Sequence, residues 1–525
     1  MKPEAWVPAD GITLEPNALT ACREQYRSVA VTAGPGAGKT ELLAQRADFL
    51  LRTNACPYPR RILAISFKTD AAANLGARVR RRVPQDYAGR LDSLTFHSFA
   101  LGLIRRFRPV LTGINQLDPG FTVGADRIPR TQLTYDDFLP LATEILERSP
   151  LVLAGLRATY SHVFLDEFQD CTANQYGIVR QAFLGTDIIL TAVGDTKQRI
   201  MGWAGALEGI FVIFAGDFNA LPLNLYQNFP SQPRLRRMQN RMIAVMDPAA
   251  AVPESALPGD GGSIRVLSAT DELREAGGVT AWVQGLISSG TPESGIAILF
   301  RNQPELYGTA LRQMLDAAGI PYRNESKLQD LAAEPIAQLL IAYLETLAGA
   351  RRPSSYIRLH QSRLFDCPGE DELFRLRKAW DVHVVQARAA MGGSASRLSD
   401  RTLPGSLADG FRDFFGASAI AALHRQYESQ SHVTSVVNDV LDCVAELLAA
   451  DATAESLARF ADEGGVRMMS IHKSKGLEFD AVAVVAIEHE MYFGKPDDAR
   501  AAFFVGISRA KRELLLTHAG IRRVP

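Results

Sequence analysis

Short apolar runs alternate with amphipathic stretches along this chain, and the alternation predicts a parallel α/β architecture. Residues 28–33 (SVAVTA) read as a buried strand, and after a glycine-rich loop residues 41–47 (ELLAQRA) are strongly helical. Residues 162–165 and 187–193 predict two more buried strands, each running into a polar tip. Further on, residues 263–267 and 295–300 predict strands that alternate with a helix around 306–318, a second α/β region. From about residue 334 to 461 the pattern turns helical, as in IAQLLIAYL (336–344) and VVNDVL (436–441). Inside it, the small-residue run MGGSAS (391–396) is expected to be a disordered loop. PAAAVP (248–253) and GDGG (259–262) mark a flexible junction between the two α/β regions.

At 525 residues the chain is too long for one hydrophobic core, so two or more domains are expected. Hydrophobic residues at 47% and charged residues at 22% describe an ordinary globular composition. MKPEAW opens the chain with no apolar run behind its lysine, and no stretch is long and charge-free enough for a membrane span. A cytoplasmic location without membrane contact is therefore expected. Cys22, Cys56, Cys171, Cys367 and Cys443 are scattered, with no CxxC or Cys/His pairing, which argues against a zinc ribbon or a disulfide framework. Buried free thiols are the expectation. The net charge of −1 leaves nucleic acid open, because a groove can be basic on a neutral protein. Arginine runs at 78–82, 105–108 and 234–237 read, taken alone, as solvated helix faces.

The candidate chemistry begins at the first loop. Gly34-Pro35-Gly36-Ala37-Gly38-Lys39-Thr40 lies between a strand and a helix, with Ala33 at the first position of a GxxxxGK[ST] pattern. Gly34, Gly36 and Gly38 let backbone N–H groups curl around phosphates, and the helix N-terminus adds partial positive charge. Lys39 is expected to reach the β and γ phosphates, and the Thr40 hydroxyl to ligate Mg²⁺. The strand at 162–165 ends in Asp166-Glu167-Phe168-Gln169-Asp170. One carboxylate at such a tip can hold the metal shell while its neighbour polarises the attacking water; Asp166 is assigned the metal and Glu167 the water. The third strand runs into GDTKQ (194–198), again a polar tip at the carboxyl end where open α/β sheets bind ligands.

These motifs, in order and spacing, resemble the superfamily 1 helicases of the UvrD/Rep type over most of the chain. AGPGAGKT (33–40), ISFKTDAAANLGARV (65–79), SLTFHSFA (93–100), DEFQD (166–170) and VGDTKQRIMGWAGA (193–206) carry the resemblance in the first half. AILFR (297–301), SIHKSKGLEFD (470–480) and FFVGISRAKREL (503–514) carry it in the second. The resemblance implies two RecA-like P-loop motor domains, parallel sheets flanked by helices, with small helical insertions and ATP as substrate with Mg²⁺. It implies a first motor domain at 1–104 and 159–235 with an insertion at 105–158. A second motor at 236–347 and 462–525 would carry a reduced helical insertion at 348–461. Gln198 would sense the γ phosphate, Arg509 would reach in from the second motor, and Glu478 would hold the ribose. Phe229 would stack on adenine. Phe67, His97, Trp203 and His472 would line a single-strand path, where rings stack on any base at roughly 1–3 kcal/mol each.

The sequence also departs from that family. QNFPS (227–231) stands where the family has an Asn-Tyr-Arg-Ser arginine, so Pro230 carries no charge and Arg234 or a partner would have to supply it. LEPNA (14–18) replaces the Leu-Asn-x-x-Gln that reads adenine, and IMGWAGA replaces IYGWRGA. The insertions are short, and the chain stops a few residues past the last motif, so a fused nuclease is not expected. The resemblance implies a 3′→5′ translocase on single-stranded or partly duplex DNA. Length and the AGPGAGKTE opening also resemble the compact members found beside an ATP-binding nuclease in the Gabija antiphage system. That resemblance implies a slow, partner-gated ATPase sensor as the alternative.

Overall fold

The computed structural model describes the chain except residues 68, 125, 201–204, 226–230, 249–250, 326–327, 329–330, 333, 350–352, 361, 363–368, 393–394, 399–401, 424–426, 428–429, 451–452, 454–455, 458–459, 461–464, 493 and 524–525. It divides into two compact units. One comprises Met1–Pro119, Thr134–Gly319 and Met468–Pro525, the other Gly120–Leu133 and Ile320–Arg467. The strands in chain order are β1 Val29–Ala33, β2 Arg61–Ser66, β3 Leu91–Thr95, β4 Leu117–Val123, β5 Arg130–Leu133, β6 Tyr160–Leu165 and β7 Ile189–Gly194. They continue with β8 Leu221–Leu225, β9 Ser263–Asp271, β10 Ile296–Phe300, β11 Tyr322–Asn324, β12 Val466–Ser470, β13 Phe479–Val484 and β14 Ala510–Ile521.

The first unit holds two sheets. One has the order β3-β2-β6-β7-β1-β8, with every neighbouring pair parallel. Helices cover both faces of such a sheet, which is why β1, β2, β6 and β7 are nearly continuous apolar runs rather than alternating ones. The other runs β12-β10-β13-β14-β9, with β10, β13, β14 and β9 parallel in turn. The α/β reading with parallel, helix-flanked sheets therefore holds. The helix expected around 306–318 is broken into Pro304–Tyr307 and Thr309–Ala317. Gly308 lies at the break, packed so tightly that a Cβ there would sit 2.4 Å from the Pro304 carbonyl oxygen.

The helix Lys39–Arg52 is the main buttress of the first sheet. It buries Leu42, Leu43, Phe49 and Leu50, and Trp6 meets Phe49 edge-on at 5.3 Å while donating from Nε1 to Asp48 at 2.7 Å. Arg46 on the same helix is fully buried. Its Nε donates to the Thr191 hydroxyl at 2.8 Å, and its Nη1 donates to the carbonyls of Ala21, Cys22 and Glu24 at the end of the helix Pro16–Arg23. A cation is favoured there because a helix C-terminus presents unpaired carbonyls and partial negative charge. Burial still lowers the guanidinium pKa to about 10.

The second unit is mainly helical. Pro335–Leu347, Glu370–Met391, Thr402–Leu423 and Gln430–Ala450 pack around Tyr343, Trp380 and Phe411, whose rings lie 5.1–6.4 Å apart. Its longer segment runs from Ile320 to Arg467, and Pro335–Leu347 spends its apolar face on this core. The run at 391–396 is also anchored more firmly than expected. Met391 is fully buried at the end of its helix, and a 3-10 turn at Ala395–Leu398 buries Leu398. Residues 393–394 lie outside the described residues. Cys22, Cys56, Cys171 and Cys443 are buried free thiols, while Cys367 lies outside the described residues. Among the described residues no helix is long and apolar enough to cross a membrane.

Replacing Arg46 with methionine leaves three carbonyls and a hydroxyl without their buried donor, so Arg46→Met should cost about 2 kcal/mol of stability. A denaturant titration of the first unfolding transition reads this; an unshifted midpoint contradicts the capping role.

Candidate nucleotide site

The parallel order places the carboxyl ends of β1, β7 and β6 side by side. The glycine-rich loop follows β1, Asp195 follows β7, and Asp166 and Glu167 follow β6. Gly36 and Gly38 take φ values of 66° and 78°, left-handed conformations that a side chain would strain. Gly38 is also the N-cap of the helix Lys39–Arg52, and no side chain caps that end. Its first-turn N–H groups therefore point into the loop, where an anion would complete them. Gly34, Lys39 and Thr40 are half-buried around the same turn.

Glu41 keeps this helix in place. It accepts hydrogen bonds from Arg82 at 2.9 Å, Arg78 at 3.3 Å and Gln45 at 2.8 Å. Burial favours its protonated form, but the Arg82 and Gln45 bonds outweigh it and hold the carboxyl below its ordinary value. The arginine run at 78–82 is thus only partly a solvated face: two of its members brace the phosphate loop, and Arg80 and Arg81 are exposed.

At the tip of β6, Asp166 is 5% exposed and its Oδ1 accepts the Glu167 N–H at 3.0 Å. Burial first, and the neighbouring Glu167 charge second, push the Asp166 carboxyl well above the ordinary range, with Lys39 opposing. Glu167 goes the other way. Burial would raise it, but the Lys475 and Lys39 charges win and hold it far below. Glu167 also sits at φ 51°, ψ 41°, a left-handed conformation that costs a non-glycine residue roughly 1–3 kcal/mol.

Gln169 connects this tip to the next strand. Its Nε2 donates to Glu167 Oε2 at 2.6 Å, and its Oε1 accepts the Asp195 N–H at 2.9 Å. The bridge requires glycine at 194, since a Cβ there would fall 2.1 Å from Gln169 Oε1. Asp195 Oδ2 in turn accepts from Gln198 Nε2 at 2.9 Å. Gln198 Oε1 accepts from Arg509 Nη2 at 3.1 Å, which carries the chain of bonds from the first sheet to the foot of β14 in the second. Arg509 is buried and also donates to the carbonyls of Val505 and Leu477 and to Ser508 Oγ.

The residues expected at one site thus divide. Glu167, Gln198 and Arg509 lie in one bonded network, and Lys39 acts electrically on both Asp166 and Glu167. Glu478 is exposed, 3.9 Å from Lys511, although its charge is felt by Arg509. Phe229, Pro230 and Trp203 lie outside the described residues. Ala18, which stands near the family's adenine-reading glutamine in the sequence, is buried in the apolar core and offers no amide.

Phe67 and His97 follow β2 and β3, paired to the register Ser66 with Thr95, so they emerge at the same sheet end. Both are half-buried. His97 meets Tyr135 and Phe138 edge-on at 6.1 Å and 6.3 Å, and burial lowers its imidazole pKa, leaving it neutral near pH 7. In the second sheet, His472 Nδ1 stands 3.5 Å from Arg301 Nη1, where β12 and β10 end together.

Sequence reasoning missed Lys475, which is buried at the carboxylates with Nζ 3.3 Å from Glu167 and in contact with Asp170. HKSKG offers two lysines identical by type, and only the tertiary contact separates them. Arg301, just past β10, is likewise placed beside His472 by packing alone.

A divalent cation fits this site. Burial and the Glu167 charge outweigh Lys39 and Lys475 at the Asp166 carboxyl, so further positive charge would suit it, and Thr40 stands on the same loop as Lys39. Mg²⁺ takes one or two protein ligands and completes its shell with phosphates and water. Mg²⁺ bound by Asp166 and Thr40 would add positive charge against phosphate oxygens.

Residues 14–128 and 126–219 match the UvrD/REP helicase N-terminal domain, and residues 465–517 match the UvrD-like helicase C-terminal domain. The two matches contain every residue of the bonded network. The chain belongs to the UvrD/Rep family. It is 25% identical to DNA helicase II of Salmonella typhimurium, over 95% of this chain and 83% of that protein. It is 24% identical to the ATP-dependent DNA helicase Rep of Escherichia coli, over 94% of this chain and 89% of that protein. Against the ATP-dependent DNA helicase UvrD2 of Mycobacterium tuberculosis the identity is 27%, over 94% and 76%.

Two predictions follow from the geometry. Gly194→Ala should displace Gln169 and destabilise the protein by about 1–3 kcal/mol, read by denaturant unfolding. For Asp166 the folded carboxyl is raised, so between the ordinary carboxylate range and that raised value the native state binds more protons than the unfolded one. Its contribution therefore weakens as pH rises. Without divalent cations, Asp166→Asn should gain stability over the parent as pH climbs from 5 to 8; parallel pH profiles would contradict it.

Proposed function

We propose that this chain is an ATP-dependent DNA translocase and helicase of the UvrD/Rep type, moving 3′→5′ on single-stranded DNA. The observation that carries the reading is the bonded line from Glu167 through Gln169, Asp195 and Gln198 to Arg509, which ties the hydrolytic tip of one sheet to a cation of the other.

In this reading Gly34, Gly36 and Gly38 wrap the phosphates with N–H donors, and Lys39 neutralises the β and γ groups. Glu167 takes a proton from water as its oxygen attacks the γ phosphorus. The bond from that phosphorus to the β–γ bridging oxygen breaks, and ADP leaves with the electron pair. Arg509 stabilises the charge spread over the transferring group, and Gln198 reports it to the DNA-facing loop after Asp195. Phe67, His97, Trp203 and His472 contact the strand, Phe229 stacks on adenine and Glu478 holds the ribose. Closure of the two sheets on ATP and opening after hydrolysis advance the motor along the strand.

A second reading rests on Pro230, where the related helicases carry an arginine. With one cation fewer, turnover would be slow, and the chain would serve as a gated ATPase sensor beside an ATP-binding nuclease in antiphage defence.

Purified protein should hydrolyse ATP on the order of 1 s⁻¹ or less alone and much faster with single-stranded DNA. Lys39→Ala and Glu167→Gln should each lower the stimulated rate by about 10²-fold or more. A phosphate-release assay reads both. Hydrolysis indifferent to DNA would remove the motor and favour the sensor.

A further inference from the structure

Lys475 stands on the turn between β12 and β13, in the second sheet. The turn is tightly bonded: Ser474 N–H donates to the Ser470 carbonyl at 3.2 Å, Ser474 Oγ to the Ile471 carbonyl at 2.8 Å, and Leu477 N–H to the Ser474 carbonyl at 3.0 Å. Its side chain is 4% exposed, and its ammonium group meets groups of the first sheet. Nζ contacts the Asp170 carboxylate, stands 3.3 Å from Glu167 Oε2 and donates to the Gln198 carbonyl at 3.2 Å. Three acceptors thus meet the three donors of a lysine, all of them around the tip that bears the water-polarising carboxylate.

The contact restrains Glu167 at one oxygen. Gln169 and Lys475 both hold Oε2, and no described residue is bonded to Oε1, the oxygen that faces the task of taking a proton. The backbone beneath is strained, so side-chain restraint has to come from such partners. Gln169 belongs to the same sheet as Glu167 and holds it whatever the other sheet does. Lys475 does not.

We propose that Lys475 is a positioning residue for hydrolysis, clamping Glu167 and the adjoining Asp170 turn so that the carboxylate is aimed only while the second sheet is seated on the first. This rests on the nucleotide reading above and deepens it: turnover is gated by a lysine contact to the base itself, in addition to the Arg509 contact to Gln198. The clamp couples any movement between the sheets to the orientation of Glu167.

The test uses Lys475→Met and the double variant Lys475→Met/Asp170→Asn in the full chain. The single variant leaves buried carboxylates uncompensated and is expected to lose stability; the double variant removes one of them and keeps the fold testable. With saturating single-stranded oligodeoxythymidine, both should show kcat lowered by about 10²-fold with KM for ATP within a few-fold of the parent. Binding of a fluorescent methylanthraniloyl ATP should be unchanged. Recovery of kcat in the double variant would overturn the proposal, since Lys475 would then only balance Asp170. A raised KM with kcat intact would overturn it by making Lys475 a binding residue, and loss of folding in both variants would make it structural. A parent that hydrolyses no ATP would bring down the functional reading instead, whereas an active parent with fully active variants removes the clamp alone.

Discussion

The site depends on buried charge being answered from a second sheet. Asp166, Glu167 and Asp170 are carboxylates at one strand tip, the first and last almost removed from water and Glu167 half-buried, and a first sheet alone offers them Lys39. Lys475 and Arg509 arrive from the loops around β13 and β14 and are themselves buried. Neither set is comfortable without the other, because an isolated buried charge costs several kcal/mol whereas a well-bonded pair roughly breaks even. The arrangement therefore adds little to stability but makes the seating of the two sheets matter to the state of the carboxylates.

The remaining local features serve that contact. Gly194 is bare so that Gln169 can pass over it to Asp195, and Glu167 accepts a left-handed backbone at the point where the strand must turn. Gly36 and Gly38 give the phosphate loop its curl, and Glu41, pinned by Arg78 and Arg82, fixes the helix that follows. In a site built this way, a divalent metal accompanying the nucleotide would add positive charge beside Asp166. Phe67 and His97 follow neighbouring strands of the first sheet, and His472 follows β12 in the second.

Much of this was legible in the sequence, for a physical reason. Buried parallel strands are continuous apolar runs, and ligand loops sit at their carboxyl ends, so the residues after 33, 165 and 193 announced a site before any contact was known. The side-chain partners were less legible. Nothing in HKSKG separates Lys475 from Lys473, and nothing in an arginine run says that Arg82 is spent on Glu41. Those choices are made by tertiary packing. His97 is a similar case: its type suggested a strand-facing ring, while its setting against Tyr135 and Phe138 comes from a segment about forty residues away. An apolar helix face carries no address either, so only packing shows Pro335–Leu347 finding its partners in the helical unit.

The most direct test of cross-sheet catalysis is single-turnover ATP hydrolysis by Arg509→Ala, with ATP affinity measured on the same preparation. If the second sheet completes the hydrolytic site, the chemical step should slow by at least about 10²-fold while ATP binding changes little. A variant that hydrolyses at the parental rate, or that loses only affinity, would contradict a site assembled from both sheets.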